Sequence, residues 1–242
     1  MSKKIAEGTG ALVLDVKVGS GAFMKSETDA RELAETMVAL GTGAGVATVA
    51  LLTDMSTPLG LTDGNAVEVA ESVEVLAGGG PADVVELTLA MAREMLAAAG
   101  KPDVDPAEAL TDGRAMDVWR RMIAAQGGDP DAPLPQAKES HVVTASTGGT
   151  LTRLDAMGVG VAAWRLGAGR SRPGESVQAG AGVVLHAKPG DAVAEGAPLM
   201  TLHTDEPARF ERALAALDGS FDIDADGGPA PDATGIVIDR IG

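Results

Sequence analysis

The sequence predicts an α/β domain over residues 1–126, followed by a small α+β, mostly β, domain over residues 141–242. In the first part, apolar runs typical of buried strands alternate with segments of helical periodicity. In the second part, short alternating runs are separated by Gly and Pro turns. Residues 127–140 form the linker between them, which begins Gly-Gly-Asp-Pro-Asp-Ala-Pro-Leu-Pro.

The first part opens with a βαβ pattern. Residues 11–17 are apolar and rich in β-branched side chains, which is typical of a buried strand. Ser26 is suited to cap a helix that stops at Gly41, and residues 46–52 form the next strand. A strand, a helix and a strand in this order predict a parallel strand pair with a right-handed crossover.

Further helices are predicted after Asn65, after Pro81 and from Asp105 to about Gln126, each from a capping or helix-starting residue followed by helical periodicity. The second part is predicted to hold one helix near residues 206–217. Its predicted strands are 141–145, 149–153, 182–187, 198–203 and 234–240.

Composition excludes several classes of function. The net charge of −16 disfavours binding to nucleic acid or to an anionic membrane surface. The absence of cysteine excludes disulfides, thiolate catalysis and cysteine-based zinc sites, and the three histidines show no metalloprotease spacing. No apolar run reaches the roughly 20 residues that span a bilayer, and the N-terminus lacks a signal-peptide core, so a cytoplasmic protein is expected.

Four strings in the first part carry a family resemblance. They are SKKIAEG at 2–8, LVLDVKVGSGAFMK at 12–25, LLTDMSTPLG at 51–60 and GNAVEVAESVEVLAGGGPADVVELTLAMAREML at 64–96. Together they closely resemble the thymidine and pyrimidine-nucleoside phosphorylases, and the resemblance extends over nearly the whole chain. It implies the C-terminal portion of the phosphorylase α/β domain, joined to the family's C-terminal domain.

The resemblance also implies a reaction. In that family, phosphate attacks the sugar C1′ of thymidine, deoxyuridine or uridine and releases the free base and a (deoxy)ribose 1-phosphate. The family's phosphate-binding loop and its base-side histidine and arginine lie in a region with no counterpart here. We therefore expect a C-terminal part that holds no catalytic residue and is inactive alone. Its expected partners are a pyrimidine nucleoside, phosphate, and either a homodimer partner or the missing N-terminal portion.

Two other functions remain open. One is a non-catalytic binding or interaction module built on the same fold. The other is a related phosphoribosyltransferase, which would need a diphosphate-binding glycine loop and acidic magnesium ligands. Neither feature is evident in this sequence.

Two residues are candidates for binding the nucleobase. Lys3 matches a family lysine that donates to a base carbonyl oxygen, and an ammonium suits this position because negative charge builds on the leaving pyrimidine. Phe23 matches the position of an apolar wall beside the base. The alternatives are a solvated surface lysine and a phenylalanine that packs at the end of a strand.

Leu59, Thr62 and Glu71 match three positions of the family's monovalent-cation site. The resemblance implies two backbone carbonyl ligands and one carboxylate, an oxygen shell of low charge that suits K⁺. Thr62 replaces a smaller residue, which a main-chain ligand tolerates. The site is expected to be incomplete in this chain, and no organic cofactor is expected.

Other candidates have stronger structural alternatives. Asp15 and Lys17 lie on the same face of a strand and could be a catalytic pair, although a simple ion pair is favoured. Ser20 in the glycine turn could bind an anion. Arg170 and Arg172 form a small basic spot that we interpret as a solvated loop.

The segment Lys188–Leu199 resembles the hairpin of lipoyl and biotinyl carrier domains, which raises the alternative of a swinging-arm module. A carrier needs a lysine just after such a hairpin. Glu206 stands at the lipoyl-like position, and Lys188 precedes the turn. We therefore expect neither modification.

Overall fold

The structure, a computed structural model, describes residues 1–228 and 235–242. The first part begins with alternating helices and strands and ends in four successive helices, and strands dominate the second part. The helices are α1 Ser2–Ala6, α2 Glu27–Gly43, α3 Ala66–Leu76, α4 Ala82–Ala98, α5 Ala107–Thr111, α6 Arg114–Ala125, α7 Ala156–Ala163 and α8 Phe210–Leu217. The strands are β1 Ala11–Val18, β2 Ala47–Asp54, β3 Thr62–Gly64, β4 Glu139–Thr144, β5 Gly149–Leu154, β6 Gly182–Leu185, β7 Ala192–Val193, β8 Pro198–Thr204, β9 Phe221–Asp224 and β10 Val237–Ile241.

The predicted βαβ unit is confirmed. β1 and β2 pair in parallel over their whole length, and α2 covers one face of the pair. Ser26 caps α2 by accepting a hydrogen bond from the Asp29 N–H at 3.1 Å. The predicted stop at Gly41 is wrong, because α2 continues to Gly43. A Cβ at Gly41 would lie 2.1 Å from Thr48 Oγ1, so this glycine allows α2 to approach β2 closely.

Strand pairing links the two parts of the chain twice. β3 belongs to the first part but pairs antiparallel with β6 in a sheet of order β3-β6-β8-β4. β10 belongs to the second part but pairs antiparallel with β2. The division at residues 127–140 stays a prediction, and backbone hydrogen bonds cross it at both places.

The second part has its own apolar core between the β3-β6-β8-β4 sheet and two helices. Val159, Ala162, Leu166, Val183 and Leu202 are each fully buried in this core. Helix α7 and the π-helical turn Trp164–Ala168 that follows it were not predicted. The α7 sequence, AMGVGVAA, has no polar side chain, so it shows no amphipathic period.

Two predicted helices differ from the structure. The stretch from Asp105 to Gln126 is divided into α5 and α6 at Gly113, whose φ of 86° no L residue adopts readily. Asn65 precedes α3 but does not cap it with its side chain. Its amide instead donates to the carbonyl oxygens of Ala168 at 2.9 Å and Gln178 at 3.1 Å, which ties α3 to the second part.

The last predicted strand, residues 234–240, corresponds to β10, and Thr234 lies outside the described residues. Within the described ranges, no helix combines the length and apolarity needed to cross a membrane.

The contact between α7 and the turn that follows α8 yields a stability prediction. A Cβ at the buried Gly158 of α7 would lie 1.9 Å from Ser220 Oγ and 2.6 Å from Ser220 Cβ. Gly158→Ala should therefore lower the free energy of unfolding by about 1–3 kcal/mol through overpacking. Urea denaturation monitored by circular dichroism measures this change.

Gly160 is the matched control on the same helix. A Cβ there would meet only Asp63 Oδ2, at an ordinary 3.5 Å. Gly160→Ala should be neutral or stabilising by up to about 1 kcal/mol, because alanine favours the helix. If both variants lost the same free energy of unfolding, the close approach to Ser220 would not be the reason that position 158 requires glycine.

Candidate functional site

The glycine turn after β1 packs closely against the segment Met55–Ser56 of the same chain. A Cβ at Gly19, where φ is 128°, would lie 2.4 Å from Ser56 Oγ. A Cβ at Gly21 would lie 2.7 Å from the Met55 carbonyl oxygen. The two glycines therefore let this turn pack against the segment that follows β2, which brings the ends of the two parallel strands together.

The same turn is a poor anion site. The N–H groups of Gly19, Gly21 and Ala22 already donate to backbone carbonyl oxygens. The Ser20 hydroxyl donates to the Ser56 carbonyl oxygen at 3.1 Å. Few donors are left for an anion, so the geometry supports a structural role for Ser20.

Asp15 and Lys17 form an ion pair on the surface of β1. Lys17 Nζ lies 2.8 Å from Asp15 Oδ2, and the buried Thr53 hydroxyl donates to the other carboxylate oxygen. Both Asp15 oxygens therefore have partners within the sheet. This geometry supports the favoured interpretation of a structural pair.

Phe23 is fully exposed at the end of the glycine turn. It borders an apolar groove of about 470 Å³ whose walls include Leu14, Met24, Leu33 and Met37. A large apolar side chain in such a groove is typical of a surface that meets a ligand or another part of a protein.

Lys3 lies on the one-turn helix α1 and does not border this groove. Within the described residues its ammonium forms no ion pair, whereas Lys4 lies 3.7 Å from Glu7. The structure therefore leaves the Lys3 charge available for a ligand.

Leu59, Thr62 and Glu71 are brought together at the edge of a second cleft, of about 580 Å³. Glu71 reaches from α3 to the loop that leads into β3. Its Oε2 accepts from the Leu61 N–H at 2.7 Å, and its Oε1 accepts from the Thr62 hydroxyl at 2.8 Å. The carboxylate thus lies against the chain segment that carries the other two residues.

The two backbone carbonyls are suited to bind a cation. In the described part of the chain, the Leu59 carbonyl oxygen accepts no hydrogen bond. The Leu185 N–H donates to the Leu61 carbonyl oxygen at 2.7 Å. Because carbonyl directions alternate along a strand, the Thr62 carbonyl points away from β6. Two free carbonyls and one carboxylate fit a hard cation of low charge.

Across residues 1–228 and 235–242, no group of three or more His, Asp or Glu is arranged to hold a metal ion. The oxygen donors described above therefore depend mainly on the backbone. Gly60 makes their arrangement possible, since its φ is 68° and a Cβ there would lie 2.4 Å from Glu71 Oε1.

The cleft lies between the two parts of the chain. α7 contributes Met157 and Val161, and Trp164 follows them with its indole N–H held by the Arg170 carbonyl oxygen at 3.0 Å. Asp63 of β3 faces this wall. Burial, and next the nearby Glu68 carboxylate, raise the pKa of Asp63 to about 6.

Lys188 is a site residue that the sequence indicated only as a carrier lysine in the wrong place. Its ammonium donates to the Gly60 carbonyl oxygen at 2.8 Å, to Asp83 Oδ2 at 3.0 Å and to the Pro58 carbonyl oxygen. An ammonium with all three protons engaged is not presented as a carrier lysine would be. Local sequence carries no signal for this contact, because its partners are more than a hundred residues away.

Comparison with known families assigns both parts of the chain. Residues 1–116 match the glycosyl transferase family a/b domain. Residues 150–224 match the pyrimidine nucleoside phosphorylase C-terminal domain. The chain belongs to the thymidine and pyrimidine-nucleoside phosphorylase family. The predicted α/β class with a C-terminal domain is confirmed.

Curated phosphorylases resemble the chain over most of its length. The thymidine phosphorylase of Mycobacterium tuberculosis (strain CDC 1551 / Oshkosh) is 60% identical over 241 residues, which is 100% of this chain and 56% of that protein. The pyrimidine-nucleoside phosphorylase of Bacillus subtilis (strain 168) is 44% identical over 216 residues, 85% of this chain and 50% of that protein. The chain therefore spans about half the length of these phosphorylases.

The raised pKa of Asp63 predicts a pH-dependent stability in this chain. The folded-state pKa of about 6 exceeds the ordinary value of 3.8, so the folded state favours the protonated acid. This contribution to stability is present below about pH 4 and is lost as the pH rises through about 6. Its size is on the order of 3 kcal/mol.

Asp63→Asn should therefore match the wild type near pH 4 and become more stable than the wild type by pH 7. Chemical denaturation at pH 4, 5, 6 and 7 gives the difference in free energy of unfolding. Asp103→Asn, at an exposed aspartate, is the control and should show no such trend. A difference that stays constant with pH would contradict the assignment to Asp63.

Proposed function

We propose that this chain supplies the nucleobase side of a pyrimidine-nucleoside phosphorylase. The observation that carries the proposal is the fully exposed Phe23, which borders an apolar groove. A pyrimidine ring is flat and largely apolar on its faces, so it suits contact with an aromatic wall. The relatives named thymidine and pyrimidine-nucleoside phosphorylase support the same chemistry.

The proposed reaction transfers the sugar from the base to phosphate. As the glycosidic bond breaks, negative charge develops on the leaving pyrimidine. The Lys3 ammonium would donate a hydrogen bond to a base carbonyl oxygen and stabilise that charge. Phe23 would hold the ring in place, and the products would be the free base and a (deoxy)ribose 1-phosphate.

We also propose that Leu59, Thr62 and Glu71 contribute to a K⁺ site. The cation would be bound by two backbone carbonyl oxygens and one carboxylate of this chain. Its role would be structural, because it would fix the loop before β3 against α3. The free Leu59 carbonyl and the Glu71 carboxylate beside it support the proposal.

A fusion protein tests the proposed function. This chain is joined to the portion of the Mycobacterium tuberculosis relative that lies outside the match, and release of thymine or uracil is followed with and without phosphate. Phosphate-dependent release is expected, and the unmodified relative is the positive control. A folded fusion that binds thymine without cleaving thymidine would instead favour the non-catalytic module.

In the same fusion, Lys3→Ala should lower kcat/KM for thymidine by about 10- to 150-fold, because a charge-assisted hydrogen bond is lost. Lys4→Ala is the matched control, since Lys4 is adjacent and forms an exposed pair with Glu7. Steady-state kinetics measures both variants. Equal losses at the two lysines would mean that the base-binding lysine has been assigned incorrectly.

Glu71→Gln should weaken K⁺ binding, because the carboxylate is neutralised while both carbonyl ligands remain. The shift of the thermal midpoint on replacing choline chloride with KCl at constant ionic strength reports binding to the folded chain. Glu74→Gln, at an exposed position one turn along α3, is the control. If wild type and Glu71→Gln gave the same K⁺ titration curve, the assignment of Glu71 would be wrong.

A further inference from the structure

Lys188 places a positive charge from the second part of the chain inside a loop of the first. Its Nζ contacts the carbonyl oxygens of Pro58 and Gly60, which lie on either side of Leu59, and the Asp83 carboxylate at the start of α4. The three acceptors use all three protons of the ammonium.

The backbone that carries Lys188 is itself held in place. The Lys188 N–H donates to Asp191 Oδ2 at 2.8 Å, and the Asp191 N–H donates to the Lys188 carbonyl oxygen at 3.0 Å. The Gly190 N–H donates to the Leu151 carbonyl oxygen at 2.8 Å. This turn fixes the origin of the lysine side chain, so its ammonium has a defined position.

Asp83 connects the ammonium to the peptide units of the loop. Burial alone would raise the pKa of Asp83, but Lys188 and the Gly60 and Val84 N–H groups together lower it below its ordinary value. Asp83 therefore stays ionised. Its Oδ2 accepts from the Gly60 N–H at 3.0 Å.

The planar peptide unit between Leu59 and Gly60 lets Asp83 determine the direction of the Leu59 carbonyl. The Gly60 N–H and the Leu59 carbonyl belong to one trans peptide unit, in which they point in opposite directions. Fixing the N–H on Asp83 therefore fixes the carbonyl on the opposite side. In the same way, the Leu61 N–H held by Glu71 directs the Gly60 carbonyl toward Lys188.

We propose that Lys188 is a positioning residue that orients the Leu59 carbonyl for cation binding. The ammonium holds the peptide unit before Leu59 through the Pro58 carbonyl, and it holds the unit after Leu59 through Asp83, which accepts from the Gly60 N–H. The Gly60 carbonyl adds a contact to the next peptide unit. The second part of the chain thereby sets the K⁺ affinity of a site whose three ligands from this chain, Leu59, Thr62 and Glu71, all lie in the first part. This inference rests on the cation site proposed above.

Two measurements on the 242-residue chain test the proposal. Amide hydrogen exchange at Gly60 and Leu61 measures how firmly the loop's backbone hydrogen bonds are held. The K⁺-dependent shift of the thermal midpoint measures binding of the cation. Lys188→Met keeps the length of the side chain and removes its charge. In this variant the two amides should exchange about tenfold faster or more, and the K⁺ shift should be largely lost.

Lys101→Met, at an exposed lysine, is the matched control and should leave both measurements unchanged. Asp83→Asn is a second, milder variant that applies if Lys188→Met does not fold. It removes the charge that holds the Gly60 N–H, so exchange at Gly60 should accelerate and the K⁺ shift should decrease. Unchanged amides in β1 and β2 show that each variant is folded.

Unchanged exchange at Gly60 and Leu61 in both variants would overturn the proposal. Faster exchange with a full K⁺ shift would overturn the link from Lys188 to the cation. A wild-type chain with no K⁺ shift would remove the cation site itself, and the proposal would fall with it. The Glu71→Gln titration separates these cases, because it tests a ligand independently of Lys188.

Discussion

Two antiparallel strand pairs constrain the arrangement of everything else in this molecule. β3 leaves the first part of the chain to pair with β6, and β10 returns from the second part to pair with β2. The cleft, the loop before β3 and the wall formed by α7 all lie between these two pairings. Their relative positions therefore follow from backbone hydrogen bonds, which side-chain substitutions do not remove.

In this very acidic chain, two lysine side chains form ion pairs with carboxylates that are partly shielded from solvent. With a net charge of −16, most carboxylates face solvent. Lys17 and Lys188 are instead held against carboxylates that are only partly exposed, Asp15 and Asp83. Such pairs add little stability by themselves because desolvation offsets much of the attraction. The Lys188–Asp83 pair matters for geometry, since it defines the position of the backbone at Pro58 and Gly60.

The elements predicted well from sequence are those whose signal is local. β1, α2 and β2 show clear periodicity, and Ser26 caps α2 as its sequence indicates. α7 was missed because its sequence has no polar residue that would reveal a helical period. β3 was missed because three residues are too few to establish alternation.

The residues of the candidate site also fall into two groups, those that local sequence indicates and those that only the fold reveals. Lys3, Phe23 and Glu71 are found through family strings that are contiguous in sequence. Lys188 and Asn65 act on residues more than a hundred positions away, so neither periodicity nor local motif indicates their partners. Asp63 is an ordinary aspartate in sequence, and only its surroundings in the fold raise its pKa.

The pairing of β10 with β2 has a consequence for how the protein forms during synthesis. The paired residues, such as Ile241 and Ala50, are separated by nearly two hundred residues. β2 therefore obtains its second neighbour only after residues 237–241 have been synthesised, and until then one edge of β2 presents unpaired backbone N–H and C=O groups. Contacts of such long range also slow folding, because a large loop must close first. Chaperone dependence during translation is thus expected to fall on residues 47–54, well before the cleft exists.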